Sequence, residues 1–236
     1  LARAGNRILF IENTGVRAPR LRDLPRLKRR FLNWWRSTKG FRQEQERLVV
    51  YSPLILPFPY SRIARWINRG LLLRALQRWM RATGFYHPIV WTFLPTPLTQ
   101  DLIADLDPLL TIYYCIDDLA SSSSAARRIS RSEAQFFRKA DLVFVTSENL
   151  RQRALHFTDR VWFFPFGVDF EQFEDVRSRQ DRIPEDLRAL PRPIIGYVGG
   201  IHRWVDQELL ASVAHQVPEA SFVLIGPLQT EVSRLA

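Results

Sequence analysis

A chain of 236 residues that is 46% hydrophobic and 12% aromatic has material for one large domain or one and a half ordinary ones, which excludes wholesale disorder. Cys115 stands alone, so neither an internal disulfide nor a cysteine-rich metal centre can form; in the apolar run TIYYCI a buried structural thiol and a reducing compartment are expected. The net charge of +10 is uneven: residues 1–86 hold 19 Lys or Arg against 4 Asp or Glu and the remainder 15 against 20, so an anionic surface or acceptor is expected to meet the first third.

The opening, LARAGNRILFIEN, reads as a helix tail passing through a glycine turn into a strand over 7–13. Because it begins in mid-motif, and TEVSRLA at the close reads as a fresh helical start, truncation at both ends is expected. From 16 to 47, arginines interleave with Phe31, Trp34, Trp35 and Phe41. Leu27, Phe31, Leu32, Trp34 and Trp35 fall on one side of a helix and Arg26, Lys28, Arg29, Arg30 and Arg36 on much of the rest, the pattern of an interfacial helix on anionic lipid. The alternative is that the aromatics pack inward and the arginines are solvated. A strand over 48–52 follows, closed by Pro53, Pro57 and Pro59. The clearest helix spans 61–82, with Ser61 as its N-cap and Gly84 near its end. Ile63, Trp66, Ile67, Leu72, Leu73, Leu76, Trp79 and Met80 supply its apolar side; Arg62, Arg65, Arg69, Arg74, Arg78 and Arg81 form a basic face, either solvated or a second lipid or acceptor contact.

Strands over 89–93, 110–116, 142–146 and 161–164 then alternate with helices over 99–106, 130–139 and 149–157, which predicts a parallel sheet covered on both faces. Four serines, 121–124, read as a loop. The charged, proline-bearing passage 171–192 lacks strand signal and is taken as a linker. Beyond it a strand over 194–198, a helical DQELLASVAHQV and a strand over 220–225 form one βαβ unit. The predicted class is α/β, with domains over 1–170 and 193–236. No apolar run approaches the roughly eighteen residues that cross a bilayer.

The candidate chemistry collects at strand ends. Gly199 and Gly200 follow the strand over 194–198 and precede a helix, a turn where backbone can approach a ligand and free N–H groups favour an anion such as a nucleotide diphosphate. A plain tight turn would read the same, since the spacing matches neither G-x-G-x-x-G nor the Walker loop. Beside it, Arg203 offers a fork to diphosphate, Trp204 a stacking ring, and His202 is the one histidine placed near a ligand; His87, His156 and His215 read as structural. Asp117 and Asp118 close the strand TIYYCI, where adjacent carboxylates hold a metal, act as base, bind sugar hydroxyls, or merely cap a turn. A metal is not favoured, because the pair is single and contiguous. Ser147 and Glu148 start a helix, where capping alone explains Ser147, and Gly167 sits in a turn that reads equally as a hinge.

In order, YYCIDDLA, ADLVFVTSENLRQRA, VWFFPFGVDFEQF, IIGYVGGIHRWVDQELLASVA and SFVLIGP resemble the family 4 type of GT-B glycosyltransferases, those of teichuronic acid, capsule or exopolysaccharide synthesis. The resemblance covers about 85–230 and, through residues 7–13, the second strand of the same fold. It implies a Rossmann-like acceptor domain and the start of a Rossmann-like donor domain, with a sugar moved from a nucleotide-sugar onto a glycan or lipid-linked acceptor. No metal or cofactor is implied, and retention is the expected outcome. Asp117 and Asp118 match the place where many relatives show His-Asp and are the candidate catalytic pair. Gly199, Gly200, His202 and Arg203 match the loop at the donor diphosphate, with Ser147, Glu148 and Gly167 as cleft contacts. An Arg and Lys pair and a Glu-x7-Glu motif are expected past Ala236 and a glycine-rich loop before Leu1, so the chain alone is not expected to transfer sugar. The expected setting is the cytoplasmic face of an anionic membrane, with no nucleic acid, since no reading module accompanies the charge. The alternatives are a sugar-nucleotide epimerase of the same architecture and a non-catalytic membrane-binding scaffold.

Overall fold

A computed structural model describes residues 1–12, 40–119, 128–178 and 183–235. The basic aromatic helix expected within 16–39 and the four-serine loop lie outside them. The chain divides into two compact units, Leu1–Gly167 and Val168–Ala236.

The first unit opens as its sequence implies. A single 3-10 turn, Ala2–Ala4, stops at Gly5, whose φ of +88° is left-handed, and strand β1, Ile8–Ile11, follows. β1 pairs in parallel with β3, Leu48–Tyr51, and β3 pairs antiparallel with β2, Phe41–Gln45. β2 corrects the sequence reading, which gave 41–45 no strand because four of its five residues are polar or charged. Its one anchor is Phe41, whose ring stacks on Tyr51 at 4.2 Å and on Trp79 at 6.0 Å. This aromatic therefore packs inward and does not face lipid.

Helix α1, Arg62–Thr83, is capped by the Ser61 hydroxyl, which accepts from the Ala64 N–H at 3.3 Å, and it ends at left-handed Gly84. Its buried line is Ala64, Asn68, Leu72 and Leu76, four residues apart, and not the wider apolar side expected. Ile63 and Trp66 point out, 73% and 75% exposed. Helix α2, Pro97–Leu106, sets this rotation. Arg65 forks onto Asp101 and Arg69 onto Asp105, with contacts of 2.5–2.6 Å, so two members of the expected basic face are internal ion-pair partners. Buried Asn68 accepts from the Leu56 N–H at 2.7 Å and donates to the Leu56 carbonyl at 2.9 Å, which holds the proline-rich connection against the helix.

Strands β4 (Ile89–Thr92), β5 (Leu110–Cys115), β6 (Leu142–Val145) and β7 (Val161–Phe163) form a wholly parallel sheet in chain order. Right-handed crossovers advancing in one direction put the connecting helices on one face. Accordingly α3, Ile129–Lys139, and α4, Glu148–Leu155, pack Phe136, Phe137, Leu150 and Ala154 on Tyr113, Cys115, Val143 and Val145. The opposite face carries the rings of Trp91, Tyr114, Phe144 and Phe164, packed on one another with centroids 5.1–6.3 Å apart. Helix α2 serves both sheets: Leu98 and Leu102 join the core of the first, and Ile103 that of the second.

In the second unit the passage expected as a bare linker carries helices α5, Phe170–Ser178, and α6, Glu185–Arg188. Strand β8 (Ile194–Val198), helix α7 (Gln207–Gln216) and strand β9 (Ser221–Ile225) form the expected parallel βαβ, with Ile194 opposite Ser221 and Val198 opposite Ile225. The last described element, at the expected helical start, is one 3-10 turn, Ser233–Leu235. Among the described residues no helix is long and apolar enough to cross a membrane.

Candidate functional site

In the first unit Cys115 pairs with Val145 and Val145 with Phe163, so the loops after β5, β6 and β7 leave from one edge. This is the carboxyl edge, where parallel α/β sheets bind ligands. It brings together Asp117, Asp118, Ser147, Glu148 and Gly167. The Thr146 hydroxyl ties two of the loops by donating to the Ile116 carbonyl at 3.0 Å.

Asp118 is held from below. One arm of the Arg153 guanidinium donates to Asp118 Oδ1 at 2.5 Å, and the other pairs with the fully buried carboxylate of Glu133. The Tyr113 hydroxyl also donates to Glu133, at 2.8 Å. Burial pushes the Glu133 carboxyl up from its ordinary value, against the pull of the Tyr113 hydroxyl and Arg153. Burial pulls the Arg153 pKa down, but the charges of Glu133 and Asp118 more than offset this and hold it raised. The Cys115 thiol beside them is pushed up to about 12, chiefly by burial, as befits a structural cysteine. Asp117 is exposed, and its carbonyl accepts from the Leu119 N–H at 3.0 Å.

The other residues at this edge are engaged locally. Ser147 accepts from the Leu150 N–H at 3.4 Å as the cap of α4. Glu148 accepts from Gln152 at 2.6 Å and Arg151 at 3.2 Å, which together hold its carboxyl below the usual range. A Cβ on Gly167 would meet nothing within 4 Å, so no close approach demands glycine there.

The second unit presents a glycine corner. The Gly199 N–H donates to the Ile225 carbonyl at 2.9 Å, and a Cβ on Gly226, at φ +153°, would lie 1.9 Å from the Gly199 oxygen. The turns after β8 and β9 are thus pressed backbone to backbone, which only glycine permits. Buried Ile201 extends the parallel pairing by a bridge to Leu228, and the Tyr197 hydroxyl donates to the Gly200 carbonyl at 3.0 Å. His202 lies over Gly200 and stacks on Trp204, with centroids 4.1 Å apart. Arg203 and Trp204 line an open groove of about 470 Å³ together with Asp206, Glu208 and Glu231. Asp206 itself accepts from the Leu209 N–H at 3.0 Å, so part of the N-terminal turn of α7 is satisfied by a side chain. The anion expectation at the helix start therefore narrows to the glycine corner and Arg203. Among the described residues no cluster of three His, Cys, Asp or Glu is placed to hold a metal.

No family model and no curated protein matches the sequence. Among solved structures, the chain is similar to a sucrose-phosphate synthase from Thermosynechococcus elongatus, with a TM-score of 0.59 and 17% identity over 94% of this chain and 62% of that one. The two share a fold. It is an α/β, GT-B-like architecture built from Rossmann-like parallel sheets, as the ordered motifs implied. The chain spans less than two thirds of the length of that synthase.

Glu133 and Arg153 were missed in the sequence, although a signal for Glu133 was present. Ile129, Ser132, Glu133, Phe136 and Phe137 keep the spacing of a buried helix stripe, and a carboxylate on such a stripe requires a buried partner.

Proposed function

We propose that the protein is a glycosyltransferase that moves a sugar from a nucleotide-sugar onto a glycan or lipid-linked acceptor in cell-surface glycan synthesis, peripheral at the inner face of an anionic membrane. The observation that carries this reading is the repetition of one device. Each of two Rossmann-like units, in a fold shared with a sucrose-phosphate synthase, sets polar residues at the carboxyl ends of parallel strands. The first unit offers Asp117 and Asp118 to acceptor hydroxyls. The second offers the glycine corner, His202 and Arg203 to the donor diphosphate.

The bond from the anomeric carbon to the diphosphate oxygen breaks and one to the acceptor oxygen forms, with retention, while the acceptor hydroxyl proton passes to the departing diphosphate oxygen. Backbone N–H groups and a guanidinium at the departing diphosphate stabilise the charge that develops there, so positioning and electrostatics supply the catalysis without a metal.

Calorimetry of UDP and GDP binding to the complete enzyme tests the donor half. Binding of one nucleotide is expected, with Arg203→Ala weakening it roughly tenfold to a hundredfold, the worth of one charge-assisted bond. Unchanged affinity removes Arg203 from this role, and no binding of either nucleotide overturns the reading. Isomerised donor in the absence of acceptor would replace it with an epimerase.

A further inference from the structure

Helix α1 carries six arginines and no carboxylate in 22 residues. Asp101 and Asp105 take up Arg65 and Arg69. The other four, Arg62, Arg74, Arg78 and Arg81, are exposed, and none of them is hydrogen-bonded or ion-paired to another described residue.

Their placement follows from helix geometry. With about 100° between successive residues, and the line Ala64–Asn68–Leu72–Leu76 as the floor, Arg62, Ile63, Trp66, Arg74, Arg78 and Arg81 all fall in the opposite half. The first two turns of that half hold Ile63 and Trp66, each about three-quarters exposed. Arg62 opens the first turn and the later turns hold Arg74, Arg78 and Arg81, with roughly 22 Å of helix axis between Trp66 and Arg81. An exposed indole and a branched aliphatic group beside cations that have no partner among the described residues call for a medium that is apolar just beneath an anionic layer. The headgroup boundary of an anionic bilayer has that structure: tryptophan favours it, and guanidinium groups pair with its phosphates. The helix belongs on such a surface and not through it, since the same face is too charged to enter hydrocarbon.

We infer that α1 is the element by which the first unit docks on anionic lipid, with Ile63 and Trp66 entering between headgroups and Arg62, Arg74, Arg78 and Arg81 meeting lipid phosphates. This assigns a surface to the membrane partner proposed above and is independent of whether sugar is transferred.

Sedimentation of the full chain with vesicles tests it, using phosphatidylcholine alone and phosphatidylcholine containing about one third phosphatidylglycerol. Binding is expected only on the anionic vesicles and is expected to fall as salt rises. The variant Arg74→Gln, Arg78→Gln, Arg81→Gln is expected to bind on the order of 100-fold more weakly, at roughly fivefold per arginine near such a surface. Ile63→Ser with Trp66→Ser is expected to lose at least about tenfold. All five positions are on the solvent side of α1, so circular dichroism should show both variants folded. A control, Arg3→Gln, Arg131→Gln, Arg192→Gln, removes the same charge from exposed sites elsewhere and is expected to bind nearly as wild type. Equal binding to neutral vesicles, or a control that loses as much as the α1 variants, overturns the inference. If binding survives in both α1 variants, membrane association stands and α1 is not its surface; if wild type fails to bind anionic vesicles, both fall.

Discussion

Arg153→Met takes the guanidinium out from between Glu133 and Asp118 and leaves the fully buried Glu133 carboxylate with the Tyr113 hydroxyl as its remaining strong donor. Removing one partner of a buried ion pair costs about 3–5 kcal/mol. At a urea m-value of about 2 kcal/mol/M, that is a fall of roughly 1.5–2.5 M in the midpoint. Glu133→Gln should cost less, about 1.5–2 kcal/mol, because an amide keeps the Tyr113 contact and Arg153 keeps Asp118 in a partly solvated position. The two variants also differ in pH dependence. Burial holds the folded pKa of Glu133 above its ordinary 4.5, so the stability tied to its protonated form is fully present below 4.5 and is lost as pH rises through the folded value. Without Arg153 that folded value climbs further and the loss deepens. Urea melts at about pH 5 and about pH 8 should therefore show a deficit for Arg153→Met that is larger by at least about 1 kcal/mol at the higher pH. Equal losses for the two variants, or a deficit flat in pH, would refute the account of a buried carboxyl whose charged form Arg153 stabilises against burial.

Three further predictions concern single positions. Gly226→Ala places a methyl 1.9 Å from the Gly199 oxygen and should displace the glycine corner, lowering the melting temperature of the second unit and abolishing nucleotide binding. Gly167→Ala, with open space around its Cβ, should leave melting unchanged within error; similar shifts for the two would contradict the close-approach argument. The Cys115 thiol, pushed up to about 12 by burial, should resist a disulfide reagent at neutral pH in the native protein and react at once in denaturant, so fast native labelling would show it accessible.

The alternation of strand and helix from Ile89 onward was legible because the strands of a parallel sheet read as unbroken apolar runs, and YYC, LVFV and VWF lie where those runs placed them, although Trp162 and Phe163 in the last are exposed. Caps at Ser61 and Ser147 were legible from local sequence as well. What tertiary partners decide was not. Ile63 and Trp66 belong to the apolar set of α1 by composition, yet Asp101 and Asp105 fix the helix rotation through Arg65 and Arg69 and turn both residues outward. The edge strand Phe41–Gln45 has one partly buried ring and no alternation to betray it. At the candidate site, the position of Asp117 and Asp118 after a strand could be read off, whereas the clamp on Asp118 could not, because Glu133 and Arg153 lie on two other elements 15 and 35 residues further along the chain.

Helix α2 has no face to spare. Leu98 and Leu102 fill one core, Ile103 enters the other, Asp101 and Asp105 hold α1, and Gln100 donates to the Ser132 carbonyl of α3 at 3.0 Å. A rupture that freed either sheet would strip this helix of half its lodging and so undermine the other. The Leu1–Gly167 unit is therefore expected to melt in one cooperative step, with the amides of Val50 and Val143 exchanging through a single opening event.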